Sequence, residues 1–304
     1  MAIWVLKAVV QKSISFLPFN HQLNFLFQKY ITKGVVLSDA LFNDKLTHCE
    51  RHLAALQKYG HVKKDFTALE IGTGWYPIVP IGLYLAGAAK VYTLDISSLL
   101  SEERVLQTIK RYIAQSKKRF AFNVIPERLE LLKKLSGLKG LSVTGLMEQM
   151  HITAIVGDAR KIDLPTGSID LVNSNNTFEH IYPEILLDIL KEFKRIAKPG
   201  GVMSHAIDMS DHFAHLDKSI TLYNFLKFSY KEWNMIDNSI QPQNRMRLYE
   251  HEALYKQLDI PVTEKVITGA GNDSINSIRL NERFSKHSSA ENAILHAAII
   301  SQMA

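Results

Sequence analysis

Between Ala68 and Pro77 the chain reads ALEIGTGWYP. A short apolar run from Phe66 to Ile71 that ends in two closely spaced glycines suits a buried parallel strand leading into a tight turn. Strands of that kind need helices over both faces, and the rest of the sequence supplies them. A helix is predicted over Ile81 to Ala86, closed near Gly87, followed by a strand from Lys90 to Ile96 and a helix from Ser97 to Lys118. Further strands are read at Ile152 to Gly157, Ile169 to Asn173 and Val202 to Ile207, with a strongly periodic helix from Pro183 to Ala197 between the last two. Val262 to Thr268 and Ala293 to Ile300 can supply the last two strands, as an antiparallel edge of the sheet. The alternation predicts an α/β fold: a doubly wound, mostly parallel, seven-stranded Rossmann-like sheet. It carries an N-terminal helical extension over residues 1–65 and helical insertions at about 119–150 and 208–248 of a main domain spanning 66–304.

Three hundred and four residues with 46% hydrophobic content can bury a sizeable core without a disulfide or a metal staple. The single cysteine, Cys49, excludes an intrachain disulfide and reads as an inert buried thiol. That cysteine usage, and the absence of a recognisable cleavable signal, favour a cytoplasmic protein. The apolar run from Ala2 to Val10 is interrupted by Lys7 and is too short to span a bilayer. Ile3, Leu6, Val10, Ile14 and Leu17 recur at helical spacing, predicting an amphipathic helix that docks on its own domain or makes peripheral membrane contact. The formal charge of +6 includes a cluster at Lys110, Arg111, Lys117, Lys118 and Arg119, read first as a solvated helix face and otherwise as a surface for anionic lipid, anionic substrate or nucleic acid.

The glycine turn admits two ligand classes. A dinucleotide fingerprint requires G-x-G-x-x-G, so that a helix start can approach a pyrophosphate. Counting from Gly72, the third glycine would stand at 77, which is Pro77. S-adenosylmethionine has no phosphate and makes no such demand. The second strand ends in VYTLDI, placing Asp95 where a carboxylate accepts hydrogen bonds from both ribose hydroxyls, with Ile96 beside it. The third strand ends in GDAR, placing Gly157, Asp158 and Ala159 where an adenine would lie.

These three pieces, in this order and spacing, resemble the class I S-adenosylmethionine-dependent methyltransferases over about Phe66 to Ile207. The first motif of that family, E-x-G-x-G-x-G, matches Glu70, Gly72 and Gly74, with Tyr76 in place of the last glycine. The resemblance implies S-adenosylmethionine as cofactor. It implies that Glu70, Gly72, Thr73 and Gly74 face its methionine end, Asp95 and Ile96 its ribose, and Gly157, Asp158 and Ala159 its adenine.

In the family the end of the fourth strand borders the transferred methyl group, so Asn173 to Thr177 are expected to line the reacting end. Glu179, His180 and Ile181 match an E-H-I found in many small-molecule members. His180 is a candidate general base, with a loop-pinning or capping role as the alternative. The tetrapeptide from Asn175 to Phe178 lacks the prolines of amino-methylating nucleobase enzymes, which argues against a flipped base as acceptor. The segment IDMSDHFAHLDKS crowds Asp208, Asp211, His212, His215 and Asp217 together, followed by Tyr223, Phe225, Phe228, Trp233, Asn244 and Arg245. Polar groups followed by aromatics suit a lid over a polar acceptor. His212 or His215 can be the base, the Asp/His set can ligate a divalent metal, or the set can be a hydrogen-bonded scaffold; no metal site is assigned from sequence.

The expected activity is O-methylation of a small-molecule, sugar or lipid-linked acceptor by in-line transfer. A non-catalytic cofactor-binding partner and an RNA methyltransferase are the alternatives, and no nucleic-acid partner is expected. The sequence leaves the oligomeric state open.

Overall fold

The computed structural model describes residues 2–18, 36–118, 120–138, 140–270 and 273–304. Arg119 of the basic cluster lies outside them. Helix α1 (Ile3–Ser15) and helix α2 (Asp39–Tyr59) precede the sheet. Then come β1 (Thr67–Ile71), α3 (Ile78–Leu85), β2 (Lys90–Asp95), α4 (Glu102–Gln115), α5 (Pro126–Ser136), α6 (Val143–Gln149), β3 (Ile152–Val156) and β4 (Ile169–Asn175). After a 3-10 turn at Phe178–His180 follow α7 (Pro183–Ile196), β5 (Ala197–Asp208), α8 (Tyr230–Ile236), α9 (Leu248–Gln257), β6 (Glu264–Ala270), α10 (Glu282–Ser285), α11 (Ser289–Asn292) and β7 (Ile294–Gln302).

The seven strands lie in the order β3-β2-β1-β4-β5-β7-β6. β7 runs antiparallel to β5 and β6, and every other pairing is parallel. From β1 the chain winds outward through β2 and β3, then returns to the other side of β1 as β4. Strand order therefore reverses between β1 and β4, which opens a crevice at their carboxyl ends. Glu70 pairs in register with Asn173, and Ile71 with Ser174. The glycine turn and the stretch after β4 thus face each other across that crevice.

Helix starts differ from the sequence reading for local reasons. α4 begins at Glu102 and not at Ser97, because Ser101 caps it by accepting from the Arg104 amide at 3.4 Å and two glutamates occupy the first turn. Ser97 is drawn back instead, its amide donating to Asp95 Oδ1 at 3.0 Å. α3 starts directly after Pro77, and β4 continues to Asn175 because every one of its residues is buried between neighbours.

One apolar cluster packs α2 to α6 on one face of the sheet, through Leu46, Cys49, Leu56, Ile81 and Tyr112. α2 is thus a layer of the main core. A Cβ on Gly82 would stand 2.6 Å from Cys49 Sγ, so the glycine permits α2 and α3 to touch. Burial raises the Cys49 thiol well above its ordinary value, which keeps it protonated and inert. A second cluster packs α7 and α9 on the opposite face.

A third cluster joins α1 to the 208–248 segment through Phe213, Tyr223, Phe225 and Trp233. Here the expected face of α1 is corrected. Ala8 and Gln11 are its buried residues, whereas Ile3, Leu6 and Leu17 are exposed. Polar bonds set the rotation: the Trp4 amide donates to Asp217 Oδ2 at 3.0 Å, and Lys12 Nζ donates to the carbonyls of Asn234 and Asp237 at 3.0 and 2.7 Å. No helix among the described residues is long and apolar enough to cross a membrane.

Candidate active site

The cofactor side of the crevice is built by short-range geometry. Gly72 and Gly74 both take left-handed backbone, φ +78° and +66°. A Cβ on Gly72 would lie 2.1 Å from Thr177 Oγ1, so this glycine lets the turn after β1 close against the chain after β4. Nothing lies within 4 Å of a Cβ placed on Gly74, which faces open space. Asp95 Oδ2 accepts from the Gly74 amide at 3.0 Å, tying the end of β2 to the turn. Burial raises its pKa against those amide bonds. Two bonds leave a carboxylate with further lone pairs to offer. Thr73 meets Thr93 through a short hydroxyl contact.

Two apolar side chains at this edge are bare: Ile96 is 76% exposed and Val156 59%. Asp95 and Val156 are register partners, so both side chains flank one shallow surface. Asp158 stands beyond it, its carboxylate held by Arg160 Nε at 3.1 and 3.0 Å and by the Arg160 amide at 2.9 Å. Ala159 is buried, and the Gly157 amide donates to the Asp95 carbonyl at 3.0 Å.

Beneath the turn lies a polar network that α2 completes. Glu70 is 3% exposed; its oxygens accept from Asn175 Nδ2 and Thr93 Oγ1, each at 3.1 Å. Asn175 Oδ1 accepts from His52 Nε2 at 2.8 Å, and His52 Nδ1 then accepts from Ser204 Oγ at 2.8 Å. Lys45 Nζ donates to the Asn175 carbonyl at 3.0 Å. Burial pushes Glu70 up to about 7, against the pull of Lys45 and its two hydrogen bonds. Burial lowers His52 to about 3, so its ring is neutral. Asn173, expected at the cofactor, is fully buried and donates from Nδ2 to the Leu69 carbonyl at 3.1 Å. Lys45 and His52 were not singled out in the sequence. The available signal was a titratable stripe at Lys45, His48 and His52 running beside the apolar stripe of α2.

The other side of the crevice gathers imidazoles. His180 Nδ1 donates to the Pro242 carbonyl at 2.7 Å, which leaves its lone pair on Nε2. Burial lowers this ring to about 4. Its centroid lies 5.0 Å from that of His212. His212 Nε2 is 3.5 Å from Asp208 Oδ2, and Asp208 Oδ1 accepts from the Ser210 amide at 2.8 Å. Burial pushes the Asp208 carboxyl up, but the bond and charge of His212, with Ser210 and His296, outweigh it and hold the group below the usual carboxylate range. Glu179 is 2% exposed and neither of its carboxylate oxygens has a hydrogen-bond partner.

The expected Asp/His set divides. Asp211 turns inward to the Phe213 amide and Asn224 Nδ2, and Asp217 serves Ser219 and α1. His215 is exposed and bonds Ser210 Oγ at 3.0 Å. The lid expectation is corrected in the same way. Tyr223, Phe225 and Trp233 are buried with each other, and Arg245 donates to the carbonyls of Phe225 and Phe228 at 3.0 and 2.7 Å. Asn244 donates from Nδ2 to the carbonyls of Phe178 and Ile181, each at 2.7 Å. These residues anchor the loop that carries Glu179 and His180; a buried aromatic core was cheaper in exposed apolar area than an aromatic lid.

A family model described as a methyltransferase domain matches residues 102–204. No curated protein matches the sequence. Among solved structures, the chain is similar to an S-adenosylmethionine-dependent methyltransferase from Methanosarcina mazei, at 15% identity, 82% of this chain, 96% of that chain and a TM-score of 0.45. It is also similar to geranyl diphosphate C-methyltransferase from Streptomyces coelicolor A3(2), at 11% identity, 84% of this chain, 79% of that chain and a TM-score of 0.45. The matched domain begins after the glycine turn and Asp95, so the motif and the match are separate observations. Residues 102–204 therefore match a methyltransferase domain, on a sheet whose strand order reverses at the glycine turn.

Proposed function

We propose that the chain methylates an oxygen of a polar small-molecule acceptor, such as a sugar or a lipid-linked hydroxyl compound. The observation that carries this reading is the pairing of His212 with Asp208 opposite His180, across the crevice from the glycine turn. A hydroxyl acceptor gives up a proton as its oxygen takes the methyl group, and that proton needs a base. His212 Nε2 makes no hydrogen bond and stands 3.5 Å from Asp208 Oδ2; with the ring proton on that nitrogen, His212 keeps a lone pair on Nδ1 for that task. His180 orients the acceptor from Nε2, and His215, at the exposed rim, assists only from outside.

The residues fit S-adenosylmethionine, which when bound supplies an electrophilic methyl group for in-line displacement. Asp95 takes the ribose hydroxyls through its free lone pairs. Ile96 and Val156 cover the adenine faces, with Gly157, Asp158 and Ala159 at its edge. The Arg160 pair with Asp158 is half exposed and exchanges partners at little cost. Gly72, Thr73 and Gly74 form the wall at the methionine end, while Glu70 and Asn173 act from behind it.

Calorimetric titration with S-adenosylmethionine, S-adenosylhomocysteine and NAD tests the cofactor half. Binding of the first two is expected, weakened about 10–100-fold by Asp95→Ala through the loss of charged hydrogen bonds; an unchanged affinity would remove Asp95 from the site. A screen of hydroxylated acceptors with labelled methyl donor tests the acceptor half, and a C- or N-methyl product would sink the oxygen assignment.

Peripheral membrane contact is proposed through the outer face of α1, where Ile3, Leu6, Val9, Phe16 and Leu17 are exposed. Co-sedimentation with anionic vesicles, reduced by Leu6→Glu, is the expected result. Equal pelleting with and without vesicles would reject it.

A further inference from the structure

We infer that Glu179, His180 and His212 form a divalent-cation site at the acceptor side of the crevice. One ligand atom from each lies within 4.8 Å of the others. Donors at about 2.1 Å around a tetrahedral ion stand about 3.4 Å apart, so the side chains must close by up to about 1.4 Å to share one. Three further features of these residues favour an ion over a hydrogen-bonded scaffold.

The first is Glu179. Its carboxylate is buried, and both oxygens lack a hydrogen-bond partner. Buried carboxylates are normally paired, hydrogen-bonded or coordinated to metal. The second is the support behind the imidazoles. The Pro242 carbonyl holds the Nδ1 proton of His180 and aims the Nε2 lone pair away from it, and Asp208 stands 3.5 Å from His212 Nε2. A carbonyl or carboxylate behind each ligating ring is how metal-binding histidines are fixed. The third is charge. The Lys45 side chain faces four acidic groups, Glu70, Glu179, Asp44 and Asp208, so acidic groups outnumber this lysine at the acceptor side.

This set differs from the one suggested by the sequence. Asp211 and His215 are engaged elsewhere, while Glu179 and His180 arrive from the turn after β4 to meet His212. Two imidazoles and one carboxylate with open positions suit Zn²⁺, Co²⁺, Mn²⁺ or Fe²⁺ better than Ca²⁺. The inference rests on the reading above only for what fills the open positions: an acceptor oxygen, held and polarised beside the methyl donor. A His212 lone pair bound to an ion takes no proton; the cation would instead acidify the acceptor hydroxyl, whose proton would pass to water.

The test is titration of full-length, chelator-dialysed protein with Co²⁺, followed by visible absorption and calorimetry without any acceptor. One ion per chain is expected, with absorption typical of imidazole-bound cobalt. Glu179→Gln and His212→Asn are each expected to weaken binding at least about 10-fold while S-adenosylmethionine affinity and melting temperature are kept. Where Glu179→Gln does not fold, His180→Asn takes its place. No saturable binding, or binding equal in all variants, overturns the site. Because cobalt is read without acceptor, failure of the oxygen-methylation reading leaves this result separately interpretable.

Discussion

The two walls of the crevice are assembled differently. The wall proposed for the cofactor comes from residues close in sequence: Gly72 and Gly74 follow β1, Asp95 ends β2, and the Gly74 amide donates to Asp95. The opposite wall comes from three distant segments, with Glu179 and His180 after β4, Asp208 and His212 at and after the end of β5, and Pro242 with Asn244 on the returning chain, while Lys45 and His52 of α2 brace the network beneath the turn. The first wall is open, with Ile96 and Val156 bare. The second is dense and largely buried. A cofactor shared by a whole family needs a fixed local grip, whereas an acceptor is selected by groups that the rest of the fold must bring together.

That contrast can be broken most sharply at His212. His212→Asn is expected to lower turnover about 10²–10⁴-fold with cofactor affinity kept. Equal turnover would show that the second wall does no chemistry. Gly72→Ala is expected to damage both walls, because the added carbon meets Thr177 Oγ1 and the backbone is left-handed there. A loss of about 1–3 kcal/mol in denaturant stability is expected, partly relieved by adding Thr177→Gly. No relief would mean that the walls are not coupled through this contact.

Glu70 gives the most specific effect. Its carboxyl is pushed up to about 7 in the fold by burial. Between its unfolded value and 7 the native state therefore binds more protons than the unfolded chain, and stability falls as pH rises through that window. The expected contribution is about 3–4 kcal/mol. The buried imidazoles act in the opposite sense: His52 and His251 are lowered to about 3, so their contribution is lost as pH falls below the ordinary histidine value. Subtracting the Glu70→Gln stability curve from that of the parent isolates the carboxyl, and a flat difference would show that it ionises normally.

The parallel strands were legible because each is a short apolar run bounded by turn residues, and the glycine turn because only φ above zero satisfies its geometry. Asp95, Asp158 and His180 were legible because their places are set by strand ends. Lys45 was hidden because a lysine on a helix normally faces water, and its role appears only when α2 lies over β4 and β5. The exposed face of α1 was misread because helical periodicity reports which residues share a side and is silent on which side is covered.

By itself the sequence determined the alternating strand and helix order, the turn that replaces a dinucleotide fingerprint, and the carboxylates at successive strand ends, since all three follow from local backbone preference and spacing. Only the tertiary structure decided that Asn175 and His52 brace Glu70, that the aromatic segment is an anchor and not a lid, and that Glu179, His180 and His212 converge. Those outcomes depend on contacts between residues far apart in the chain, whose energies arise only once the sheet, α2 and the returning segment enclose the same space.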